Sequence, residues 1–158
     1  MDLTWVNVVD TAVKIGLGAF IATLAAYITV IKNHSYEREK ELRTVFYKLQ
    51  EEKKAKYVEL LVLSQELIQD HLYSSCSASA DIYKKYFRAF NEVQIISGDA
   101  IRVAAYSLVA DVQSFASLNK NQQELKLVDG MLALAREKLS YFQKLAQLEV
   151  SESYKKSR

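Results

Sequence analysis

A chain of 158 residues has room for one soluble domain and a short additional segment. Its net charge of +2 gives no electrostatic case for nucleic acid as the main partner, and its single cysteine excludes an internal disulfide and suits a reducing compartment. With no proline and only four glycines, almost nothing interrupts a helix, so the composition predicts an all-α protein.

The first predicted element is the apolar run Ile15–Ile31, seventeen residues without a charge, bounded by Lys14 and Lys32. As a helix it is roughly 25 Å long, slightly short of a hydrocarbon core, and residues from Trp5 onward can lengthen it. Asp10 stands four residues before Lys14, at pairing distance on a helix. Trp5 and Tyr27 suit a membrane interface. Two other readings compete with a membrane span: a buried core helix and a cleaved signal peptide. Against the second, Asp2 and Asp10 stand where a basic leader belongs, and no small-x-small site follows the run. Positive charge is asymmetric: Lys32, Arg38, Lys40, Arg43, Lys48, Lys53, Lys54 and Lys56 follow the run, and only Lys14 precedes it. The positive-inside rule therefore predicts an outside N-terminus and a cytoplasmic C-terminal part. Gly18, Ala22 and Ala26 recur at four-residue steps, a small face that allows close helix approach in lipid.

A long helix is expected from Tyr36 to about His71, with Leu42, Val45, Phe46 and Leu49 on its first stripe. Glu37, Glu39, Lys40, Glu41 and Arg43 read as a solvated face. After a polar stretch, Tyr57, Leu60, Leu61, Ser64, Leu67, Ile68 and Leu72 form a second stripe. Lys32, Lys53, Lys54 and Lys56 are candidates for contact with anionic lipid headgroups, diluted by Glu51, Glu52 and Glu59. Residues 74–79 are a serine-rich connector. The next helix is expected over Asp81–Ile96, with Ile82, Tyr86, Phe87, Phe90 and Val93 inward and Lys84, Lys85 and Arg88 outward. In Ser97-Gly98-Asp99, Gly98 is expected to take a left-handed helix end and Asp99 to cap the following helix.

That helix, about Ala100–Leu118, carries Ile101, Ala104, Ala105, Leu108, Val112, Phe115 and Ala116 on one face. Asn121 and Glu124 have the spacing of a capping box. The last helix, about Gln122–Glu149, is expected to bury Leu125, Val128, Met131, Leu132, Ala135, Leu139, Phe142, Leu145 and Leu148. The tail 151–158, with Lys155, Lys156 and Arg158, reads as disordered. The expected organisation is an anchor at 1–32, a charged helical stalk at 33–56, a cytoplasmic antiparallel four-helix bundle at 57–150, and the tail.

The anchor, the charged run Tyr36–Arg43, and the segment Tyr83–Asn91 with Ser97-Gly98-Asp99 behind it resemble small bacterial and phage inner-membrane proteins of unknown function. The resemblance implies a single N-terminal membrane helix, a charged stalk and a small cytoplasmic helical domain. It implies no activity.

Chemistry is sparse. Asp70, His71 and Cys76 are the one arrangement worth testing as a Cys–His pair. No pairing of histidine with histidine or glutamate has metal-ligand spacing, and no glycine loop can cradle phosphate. No catalytic, cofactor or metal residue is therefore expected. The leading expectation is a non-enzymatic interaction protein that assembles with itself or with another membrane protein. The alternative is a membrane-acting effector or exclusion factor in conflicts between bacteria and phages.

Overall fold

The computed structural model describes residues 3–77 and 79–155; the surroundings of residues 3, 4, 6–9, 11, 12, 16, 18 and 122 lie outside what it describes. The described residues form four α-helices: α1 (Leu3–Asp70), α2 (Asp81–Ile96), α3 (Asp99–Ser117) and α4 (Leu125–Val150), with a 3-10 turn at Lys120–Gln122 and no strand. They divide into two compact units, one of residues up to Val45 and one of Phe46–Lys155.

In the first unit α1 is apolar on all sides between Ile15 and Ile31, and every described side chain there is exposed. Two hydroxyls satisfy themselves on the helix: Thr23 Oγ1 donates to the Ala19 carbonyl at 2.7 Å and Thr29 Oγ1 to Ala25 at 2.8 Å. Lys14 pairs with Asp10 at 2.5 Å, the contact expected from their spacing. Leu42 and Val45, expected on a stripe, are exposed.

The second unit owes its order to helices apolar on one face only. Its core takes Tyr57, Leu60, Leu67 and Ile68 from α1, Tyr86, Ala89 and Val93 from α2, most of one face of α3, and Ala135, Phe142 and Ala146 from α4. All seven residues expected inward on α3 are buried, and Val109 joins them. Burying Leu60, Leu67 or Leu108 completely contributes about 1.5–3 kcal/mol each. The rings of Tyr57 and Phe142 meet edge to face at 5.9 Å. Ser64, wholly buried, donates to the Leu60 carbonyl at 2.7 Å and lies 3.3 Å from the Tyr86 hydroxyl. Burial pushes the Tyr86 phenol well above its ordinary pKa.

Helix ends depart from expectation. Gly98 has φ −71° and is the N-cap of α3, because Ser97, in extended conformation, already ends α2. Asp99 is the first residue of α3, and its carboxylate takes Arg102 at 3.2 Å rather than capping the helix. Asn121 and Glu124 make no capping box: residues 120–122 turn as a 3-10 helix, and Glu124 precedes α4 without a side-chain cap. Leu125 and Leu148 are exposed, not buried, since one lies in the uncovered first turn and the other faces away from the core. In the tail, Tyr154 is half-buried and packs edge-on against Phe46 at 5.7 Å; residues 156–158 lie outside the described residues.

Candidate functional site

Within the first unit the candidate surface is α1 itself. Trp5, Phe20, Leu24, Tyr27 and Ile28 are all exposed, and among the described residues this one helix is long and apolar enough to cross a membrane. Ala22 and Ala26 are exposed on it. Gly18 lies on the same helix, and its surroundings are outside the described residues. Lys32 is exposed directly after the apolar run.

The remaining basic candidates belong to the second unit and differ from one another. Lys54 is exposed. Lys53 is 15% exposed and forms a salt bridge with Glu149, itself 17% exposed; Gly98 N–H also donates to Glu149 Oε1, at 3.4 Å. Lys56 binds Glu92 at 2.5 Å and Glu59 at 3.4 Å. The hydrogen bond to Glu92 raises the Lys56 pKa, and the same bond, aided by Arg88, lowers that of Glu92. Two of the four lysines proposed for lipid contact thus spend their charge within the fold.

The Lys53–Glu149 pair has buried neighbours, the Tyr57 hydroxyl and Ser97 Oγ, neither with a well-formed hydrogen bond. Burial pushes the Tyr57 phenol up to about 12, with Ser97 pulling the other way. This polar node ties α1, the α2–α3 junction and α4 together. Its ionised groups neutralise each other, so it holds structure and offers no free acid or base.

The Cys–His arrangement does not form a nucleophile. Cys76 N–H donates to the Ala116 carbonyl at 2.7 Å, and its Sγ lies 3.5 Å from the Ser77 carbonyl. No hydrogen bond joins it to His71 among the described residues. Burial raises the thiol pKa, the reverse of activation. Lys120 stands near instead, donating to the Phe115 carbonyl at 2.6 Å and the Ser74 carbonyl at 2.9 Å, 4.4 Å above the Phe115 ring. It pins the connector to the end of α3. No group of three metal-binding side chains occurs among the described residues.

Two grooves open on the second unit. One groove of about 500 Å³ lies between α1 and α4, lined by Glu66, Gln69, Asp70, Arg136 and Leu139; another of about 510 Å³ lies between α1 and α2, lined by Lys56, Glu59, Lys85, Arg88 and Glu92. The first sets Ile68 and Leu139 beside the charged Glu66, Asp70 and Arg136, and the second is lined largely by charges already paired with one another. The surface that the sequence reading missed is on α4: Leu127, Leu134, Tyr141 and Leu148 are 47%, 50%, 54% and 60% exposed. Their seven-residue spacing was visible in the sequence but was masked by the stronger stripe beside it.

Comparison with protein-family models, with curated proteins and with solved structures finds no match to this chain.

Proposed function

We propose that the protein is a non-enzymatic, membrane-anchored assembly factor. α1 spans the inner membrane with its N-terminus outside, and residues 46–155 form an antiparallel helical bundle that meets a partner at the cytoplasmic face. The carrying observation is the exposure of every described apolar side chain from Val13 to Ile31, in a chain whose other helices each bury one apolar face. In water such a surface is costly, and lipid removes the cost. The basic residues after Ile31 support the orientation. Paired charges in the second unit support binding over catalysis. The small face through Ala22 and Ala26 favours a contact with another membrane helix.

The test is to isolate the full chain from membranes. It is expected to resist carbonate extraction and to elute from mild detergent with a second copy or another membrane protein. A protein released by carbonate and running alone overturns the reading. For orientation, a reporter active only in the periplasm, fused after Leu148, is expected to be silent.

A further inference from the structure

Besides the face that packs on the core, α4 carries a second apolar line with strict heptad spacing. Leu127, Leu134, Tyr141 and Leu148 recur every seven residues and are about half exposed. Met131, Lys138 and Leu145 fall four residues after the first three of them and are partly buried along the edge of the core. Alternating steps of four and three over three heptads form the seam of a coiled coil, a pattern that a second helix fills knob into hole. One seam position is polar, Lys138. It makes no ion pair among the described residues, and neither do its neighbours Glu137 and Lys144 beside the seam.

We infer that the α4 seam binds the α4 seam of a second copy of this chain, antiparallel, about a two-fold axis between Lys138 and Tyr141. This deepens the assembly reading given above and rests on it. The charges choose the occupant and the direction. In parallel register Lys138 meets its own copy, like charge against like. In antiparallel register it lies across Tyr141, whose ring face accepts a cation. Leu134 then faces Leu145, Met131 faces Leu148, and Glu137 of one copy comes beside Lys144 of the other. The two-fold generates each pairing twice, the self-complementarity that a symmetric dimer requires.

The experiment uses the full chain in mild detergent with Cys76→Ser as background. Copies carrying Leu134→Cys and Leu145→Cys under different tags are mixed and oxidised. The expected result is a disulfide between the two tags, with little product from either variant alone. Leu134→Glu, at a half-exposed position, is expected to weaken self-association tenfold or more while helical circular dichroism is unchanged. Glu137→Lys is expected to weaken it as well, and adding Lys144→Glu to restore it. Dominant 134–134 and 145–145 products overturn the antiparallel seam. So does an oligomer that survives Leu134→Glu without crosslinking, which leaves the assembly reading intact. A chain that is monomeric and partnerless throughout overturns both.

Discussion

The N-terminal part of α1 and the whole of α3 are both rich in apolar residues, and they place them oppositely. On α3 the residues from Ile101 to Ala116 that face the core are at 4% exposure or less, while Arg102, Val103 and Tyr106 point outward. On α1 between Val13 and Ile31 no described side chain is sheltered. Both apolar content and its angular distribution separate the two cases: Ile15–Ile31 carries no charge, and α3 keeps Asp99, Arg102 and Asp111. A helix apolar on one face packs that face on protein, and a helix apolar all round suits a protein core or a membrane span.

The same substitution in the two regions probes this difference most directly. Leu108→Ala removes a wholly buried side chain and is expected to cost about 2–5 kcal/mol. Leu24→Ala is expected to stay within ~0.5 kcal/mol, because nothing in the fold packs on it. Denaturant midpoints of the full chain in detergent compare them, and equal losses would show that α1 is folded into protein. Second, Leu24→Arg is expected to cost about 2.5–3.5 kcal/mol in membrane insertion, read as loss of carbonate-resistant protein, with the unfolding midpoint of the second unit unmoved. Third, Glu149→Gln leaves Lys53 with no anionic partner in a mostly buried place and is expected to cost about 1–3 kcal/mol, much of it recovered by adding Lys53→Met.

The smallest effect concerns pH. The Tyr57 phenol stands at about 12, above the ordinary value of 10. The folded state thus holds a proton that the unfolded state releases first. The stability this contributes is fully present below pH 10 and is lost as pH rises toward 12. Tyr57→Phe is expected to reduce the fall in urea midpoint between pH 8 and pH 11 and to be near neutral at pH 8, since the hydroxyl it removes lacks a well-formed hydrogen bond. An unchanged alkaline slope would place the effect on another group, with buried Tyr86 first in line.

What was legible beforehand follows from how local each cause is. The inward face of α3 was readable because periodicity is a property of the helix alone. The bounds of α2 were readable because Asp81 and Ser97 bracket an uninterrupted amphipathic pattern. The Gly98 reading failed because the chain leaves α2 in extended conformation at Ser97, a choice set by packing and not by the glycine. The capping box failed because Lys120 is drawn to carbonyls of the connector and of α3, and the turn tightens around it. The pairing of Lys53 with Glu149 spans 96 residues and leaves no local mark. For the same reason a lysine chosen for lipid on sequence proximity proved to be part of the fold's own charge balance.

The two threonines of the apolar run carry a further consequence. Each hydroxyl closes on a carbonyl one turn back, so its hydrogen bond needs neither water nor a neighbouring protein. These two hydrogen bonds are therefore independent of whatever surrounds the helix. Just before the run, Lys14 and Asp10 are likewise paired with each other, a nearly neutral couple that leaves the apolar stretch flanked by little net charge on that side.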